Sequence, residues 1–169
     1  MAGPLSERLA LPLISKDELK EVLFDSLGWG DREQSRRMSD AAYALMFYLA
    51  GKQLTAGGSC ILEANFRPEA AARLAALAEK RPFETVTVRC FADHEVLRAR
   101  LSRRAEELLR HPGHLDAELL QQMESLISGG LLEPGSGVVE VDTTDPTKVD
   151  IEGVARRVKD LIEGTDKGH

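Results

Sequence analysis

Two acidic residues follow short apolar runs of the type that form buried strands, and ligands often bind where parallel strands end. Asp17 comes directly after Leu13-Ile14-Ser15-Lys16, and Glu63 ends the run Ile61-Leu62-Glu63. A carboxylate at Asp17 could accept the proton of a hydroxyl during phosphoryl transfer, and one at Glu63 could hold Mg²⁺ through water. Asp17 could equally be a first-turn acid favoured by the helix macrodipole, and Glu63 an ordinary acid at a strand edge.

A cluster of arginines is the second chemical signal, because the chain is otherwise acidic, with a net charge of −6. Its members are Arg98, Arg100, Arg103, Arg104 and Arg110. Arg100 and Arg104 are four residues apart and therefore share one face of a helix. Guanidinium groups bind phosphate oxygens in pairs and neutralise transition-state charge. The alternative is a solvated helix face whose arginines pair with neighbouring acids.

The glycines do not form a phosphate-binding loop. Such a loop stands between a strand and the start of a helix, where backbone N–H groups face the anion. Gly57-Gly58 and Gly135-Ser136-Gly137 both precede predicted strands, which is the reverse order. The 169 residues contain no Gly-x-x-x-x-Gly-Lys-[Ser/Thr] sequence. We therefore interpret these glycines as turns and caps.

Three smaller features have structural explanations. His111-Pro112-Gly113-His114 is more consistent with a stiff hinge than with a metal pair, since Pro-Gly breaks a helix and no cysteine or third histidine lies nearby. Trp29, between two glycines, either faces a substrate or packs as a turn residue. Cys60 and Cys90 lie in strand-like stretches and are predicted to be reduced core thiols.

Short apolar runs alternate with helical patterns along the chain. Strands are predicted at 12–15, 60–64, 85–91 and 138–141, and helices at 16–27, from about 31, at 68–80, from about 94, at 116–127 and at 150–162. This order is typical of an α/β domain with a mostly parallel sheet and helices on both faces. We predict a single domain over residues 1–169, with an inserted helical lid at about 96–128 and a frayed tail at 164–169.

The overall charge argues against one class of partner. The chain has a net charge of −6 and a pI of about 5.3, which argues against nucleic acid as a ligand. The sequence shows no signal peptide and no long apolar run. These features predict a cytoplasmic protein without a membrane partner.

Four segments together resemble one family of enzymes. They are Leu11–Glu18, Ile61–Phe66, the pair Arg100-x-x-x-Arg104 followed by Arg110–His114, and Val141–Thr144. They resemble, in order, the second-strand turn, the third strand with its Walker-B-like acid, the lid and the adenine loop of small P-loop kinases. The resemblance is to the group that includes polynucleotide kinase, chloramphenicol phosphotransferase and zeta-toxin-like kinases, and it covers nearly the whole chain. It implies a three-layer P-loop NTPase-like fold.

The resemblance also implies a role for each candidate residue. By position, Asp17 matches the acceptor-activating acid and Glu63 the carboxylate on the Mg²⁺ side. The lid residues Arg100, Arg104 and Arg110 match catalytic arginines that clamp the phosphates of ATP. Arg104, Arg110, Thr143 and Thr144 are implied nucleotide contacts, and Lys16, Asn65 and Arg67 are candidate acceptor contacts. ATP and Mg²⁺ are the implied cofactors, and a small molecule with a hydroxyl group is the implied acceptor.

The sequence departs from this family at its front end. Met1–Leu9 matches the remainder of the first helix, so the family's first strand and phosphate loop would fall immediately before Met1. One explanation is that Met1 is an internal methionine of a longer protein. Because that strand is central, its absence should leave two inner strands unpaired or a gap closed by rearrangement. We therefore expect weak ATP binding, and low stability or association of copies through exposed sheet edges. The alternative function is a non-catalytic binding module.

Overall fold

Helices and strands alternate along the chain as the sequence predicts. The computed structural model describes residues 1–66, 68–107, 111–114 and 137–165. The helices are α1 (Ala2–Leu9), α2 (Lys16–Leu27), α3 (Arg32–Thr55), α4 (Glu69–Ala78), α5 (His94–Glu106) and α6 (Ile151–Thr165). The strands are β1 (Leu13–Ser15), β2 (Ile61–Glu63), β3 (Val86–Phe91) and β4 (Gly137–Asp142), and short 3-10 turns cover Pro112–His114 and Pro146–Lys148.

The strands form two separate parallel pairs. β1 pairs with β2 and β3 pairs with β4, and within the described ranges no ladder joins β2 to β3. This is the arrangement expected when a central strand is absent between the two inner strands. The pairs nevertheless lie side by side, because Ile61 of β2 packs against the same cluster as Val86 and Val88 of β3.

Each strand pair has its own hydrophobic cluster. The cluster on β3 and β4 is closed by α1 and α6, and its buried members are Leu5, Val139, Val141, Val154, Ala155 and Val158. The cluster on β1 and β2 is built mainly by α3 and α4, and its buried members are Tyr43, Met46, Phe47 and Ala70. Helices therefore cover both pairs, which confirms the predicted parallel α/β class.

The ends of α2 and α3 follow from their capping residues. Ser15 accepts the backbone N–H of Glu18 at 3.5 Å and so caps α2, which ends at Gly28 with a positive φ of 80°. Asp31 accepts the N–H of Gln34 at 2.9 Å and caps α3. These local interactions explain why the predicted start and end of α2 agree with the structure.

Two predicted features extend beyond the described residues. Helix α6 continues to Thr165, and residues 166–169 lie outside the described part, so the frayed tail at 164–169 stays a prediction. Of the predicted lid, the structure describes the part within α5 and the segment 111–114. The predicted helix at 116–127 lies outside the described residues.

Candidate active site

Ser15 and Glu63 fix the end of the first strand pair. They face each other in the parallel register of β1 and β2. The buried Ser15 hydroxyl donates to Oε2 of Glu63 at 2.6 Å while it caps α2. An exposed carboxylate is thereby held beside the start of a helix, at the carboxyl edge of the strands.

Asp17 lies at the same edge, in the first turn of α2. Its Oδ1 accepts a hydrogen bond from Nζ of Lys16 at 2.9 Å. The Asp17 side chain is 45% exposed, whereas that of Lys16 is 16% exposed. The structure therefore brings together Lys16, Asp17 and Glu63, which the sequence predicted as acceptor, acid and metal residues, and leaves the Asp17 carboxylate open to solvent.

The second strand pair ends in a loop whose polar atoms are held by the protein. The N–H and the hydroxyl of Thr143 both donate to the carbonyl of Phe91, at 2.7 and 2.8 Å. The Thr144 hydroxyl accepts the N–H of Asp93 at 3.1 Å, and the Thr144 N–H donates to Oδ1 of Asp142 at 2.8 Å. The side-chain and backbone hydrogen bonds from Thr144 lower the pKa of Asp142 below its ordinary value. These hydrogen bonds fix the conformation of the loop beside the ends of the strands.

Arg100 joins helix α5 to that loop. Its Nη2 donates to the carbonyl oxygens of Thr143 and Thr144, at 2.6 and 3.0 Å. Its charge also contributes to the lowered pKa of Asp145, after the larger effect of hydrogen bonds from Thr147 and Lys148. Arg104 follows one turn later on α5 and is half-buried. Arg100 therefore binds backbone carbonyls, and its position in the sequence does not predict these hydrogen bonds.

The thiol of Cys90, in β3, has a pKa above its ordinary value. Desolvation of the sulfur is the main cause; the amino group of Met1 lowers the pKa, and the charge of Glu63 raises it. Both cysteines are free thiols, as predicted, but Cys90 is exposed and Cys60 half-buried, so the prediction that they lie in the core is wrong.

Of the three remaining predicted site residues, the structure describes one. Asn65 is exposed in the loop after β2. Arg67 and Arg110 lie outside the described residues. The roles assigned to all of these residues remain predictions.

The segment His111–His114 is docked, although the sequence predicted a hinge. The Phe24 ring of α2 stacks on His111 with ring centroids 5.0 Å apart, and meets His114 edge-on at 5.6 Å. Trp29 contacts His111 edge-on at 5.9 Å and is 46% exposed. Trp29 is therefore a partly packed turn residue beside this segment.

Comparisons with known proteins place this chain in a family. A family model described as an AAA domain matches residues 2–128. The chain belongs to this AAA domain family. A solved structure of a "putative kinase" from Chloroflexus aurantiacus J-10-fl has 36% sequence identity and a TM-score of 0.82, and the match covers 95% of this chain and 89% of that chain. No curated protein matches the chain.

The family and the solved structure support the P-loop NTPase-like fold for this AAA domain. The two strand pairs with their covering helices are the part of that fold that carries the candidate site. Across the described ranges, no helix is long and apolar enough to cross a membrane.

Replacing Arg100 with alanine should destabilise the loop after β4. The substitution removes a charged donor from the carbonyls of Thr143 and Thr144, and hydrogen bonds to charged groups contribute roughly 1.5–3 kcal/mol. We expect a loss of about 1–3 kcal/mol in the free energy of unfolding, measured by urea denaturation. Arg98→Ala, on the exposed side of α5, is the control. An equal loss in both variants would show that Arg100 does not brace the loop.

Proposed function

We propose that this AAA domain is an ATP-dependent phosphotransferase that acts on a small acceptor with a hydroxyl group. The observation that carries the proposal is a half-site of polar groups at the carboxyl end of each strand pair. Asp17 and Glu63 form one half-site, and the loop held by Arg100 forms the other. The family match and the kinase-like solved structure support the same function.

Each half-site suits one part of the transfer. The exposed carboxylate of Asp17 can accept the proton of an acceptor hydroxyl, with Lys16 orienting it. Glu63, whose Oε2 is fixed by Ser15, offers the oxygen ligand that Mg²⁺ prefers, directly or through water. A bound Mg²⁺ would neutralise developing charge on the phosphates. Arg104 and Arg110 are the arginines proposed to contact those phosphates, since Arg100 binds the loop carbonyls.

A non-catalytic binding module is the second candidate, and one specific observation favours it. The 169 residues hold no glycine-rich Walker A sequence, which supplies most of the backbone contacts to phosphates in P-loop enzymes. A domain that keeps the strands and loses this cradle retains surfaces for binding but lacks the means to position ATP.

The 169-residue chain should bind Mg²⁺-ATP more weakly than micromolar affinity. The physical reason is the absence of a phosphate cradle within these residues. Isothermal calorimetry with Mg²⁺-ATP measures the affinity, and Mg²⁺ with AMP, which lacks the β- and γ-phosphates, is the matched control. A micromolar dissociation constant for ATP alone would contradict the expectation.

Measurements on the protein isolated from its own cells decide between the two candidate functions. Its intact mass and N-terminal sequence show whether a phosphate loop precedes Met1 in the native product. A longer species that carries such a loop and transfers the γ-phosphate to a hydroxyl would support the kinase. A species that begins at Met1 and transfers no phosphate would overturn it in favour of the binding module.

A further inference from the structure

The docked segment His111–His114, here called the clasp, is held by a buried chain of hydrogen bonds. Nζ of Lys20 donates to Oγ of Ser35 at 2.9 Å, and the Ser35 hydroxyl donates to the carbonyl of Gly113 at 2.7 Å. Lys20 and Ser35 are only 6% and 7% exposed. The chain joins α2, α3 and the clasp in a place where unsatisfied polar groups would be costly.

Two histidines of the clasp face two carboxylates of α2. Nε2 of His114 lies 2.9 Å from Oε1 of Glu21, and Nε2 of His111 lies 3.4 Å from Oδ1 of Asp25. The N–H of Gly113 donates to Nδ1 of His111 at 3.1 Å, which leaves Nε2 as the protonated nitrogen of a neutral His111. Each histidine can therefore donate to α2, and the side chain of His114 is only 4% exposed.

Gly113 allows the clasp to approach α2 this closely. A Cβ atom at this position would lie 2.9 Å from two ring carbons of Phe24. Carbon atoms normally stay at about 3.5–4.0 Å, so a methyl group would push the clasp away from the ring. Gly113 is thus a requirement of docking, whereas the Pro-Gly pattern alone indicated a hinge.

The clasp docks on the same face of α2 that carries the candidate acid. The residues that follow Asp17 by three, four and seven positions are Lys20, Glu21 and Phe24, so all four lie in one stripe along the helix. At a rise of about 1.5 Å per residue, the first contact of the clasp on α2, at Glu21, lies roughly 6 Å along the axis from Asp17. The clasp is therefore a neighbour of the proposed acceptor site.

Helix α5, which precedes the clasp in the sequence, is attached to the other half-site. Arg100 binds the loop after β4 through the carbonyls of Thr143 and Thr144, and the clasp binds α2 next to β1. Gly113 lies thirteen positions after Arg100 in the sequence. This stretch connects the two strand pairs, which share no ladder in the described residues.

We propose that the clasp is a positioning device that ties helix α5, which carries Arg100 and Arg104, to α2 and so sets the distance of these arginines from Asp17. Lys20, Ser35 and Glu21 are positioning residues in this proposal, because they act through the clasp. The inference rests on the proposed function for its catalytic consequence, while the docking itself is independent of that function.

The reactivity of Lys20 tests the docking without any assay of activity. In the whole 169-residue protein, N-hydroxysuccinimidyl acetate should acetylate Lys20 at least about tenfold more slowly than the exposed Lys52, because a buried amine reacts only after local opening. Gly113→Ala should raise the rate at Lys20 by about tenfold while Lys52 is unchanged. Peptide mass spectrometry measures both rates. The emission of Trp29, the single tryptophan, should change with them.

Two further variants keep the test decisive. Gly3→Ala is the matched control, because nothing lies within 4 Å of a Cβ at Gly3, and it should leave Lys20 protected. If Gly113→Ala fails to fold, Ser35→Ala takes its place, since it removes the bond to the Gly113 carbonyl. Equal acetylation of Lys20 and Lys52 in the unaltered protein would overturn the proposal.

A kinetic measurement tests the positioning role in the protein as its own cells make it. Gly113→Ala should lower kcat for phosphoryl transfer at least about tenfold and leave KM for ATP within about twofold, because misplacement costs transition-state contacts and spares ground-state binding. An unchanged kcat with an exposed Lys20 would overturn the positioning role. Absence of transfer in the unaltered protein, with Lys20 protected, would instead count against the proposed function.

Discussion

Replacing Asp17 with asparagine should lower the rate of phosphoryl transfer by about 10²–10⁴-fold, the usual contribution of a general base. Asparagine keeps the size of the side chain and can still accept a hydrogen bond from Lys16, but it cannot take up the hydroxyl proton. Binding of ATP should be unchanged, since Asp17 lies on the α2 side of the site. Initial rates of γ-phosphate transfer measure the effect, in protein made from the edited chromosomal gene.

Glu18→Gln is the matched control for this experiment. Glu18 is exposed in the same first turn of α2, so its loss reproduces the weaker interaction with the helix macrodipole. The control should keep most of its activity. If Asp17→Asn and Glu18→Gln have equal rates, Asp17 is only a first-turn acid, the ordinary explanation that the sequence left open.

The sequence was sufficient for the features that depend on local pattern. The capping side chains of Ser15 and Asp31 and the glycine after Leu27 fix the helix ends near the site. Alternation of strands and helices predicted the parallel pairs, and the family resemblance led us to expect either two unpaired inner strands or a rearrangement; in the described residues no ladder joins β2 to β3. Because carboxyl ends of parallel strands share an edge, the proximity of Asp17 and Glu63 was also predictable.

Contacts that depend on tertiary packing were not predictable in this way. Arg100 binds two backbone carbonyls, and carbonyls carry no signature in the sequence. Gly113 looks like a hinge until the Phe24 ring is found against it. A buried lysine such as Lys20 reads as a surface residue from composition, since lysine is seldom buried without a partner. These three residues support the candidate site through contacts that only the structure shows, whereas its candidate reactive groups could be predicted from the sequence.

Phe24→Ala should have the largest effect on stability, with a loss of about 3–5 kcal/mol in the free energy of unfolding. Phe24 is 1% exposed and is among the largest fully buried side chains in the described part of the chain. Its ring contacts both histidines of the clasp, and Nζ of Lys20 lies 5.0 Å above it. Truncation removes this apolar surface and leaves a cavity between α2 and the clasp.

Urea denaturation followed by circular dichroism measures this loss, with Phe91→Ala as the matched control. Phe91 is 43% exposed at the end of β3, so the same truncation there should cost less than about 1.5 kcal/mol. Phe24→Ala should also raise acetylation of Lys20, because the ring that packs the clasp against α2 is gone. Similar losses in the two variants, with Lys20 still protected, would mean that Phe24 does not join the clasp to the acid-bearing helix.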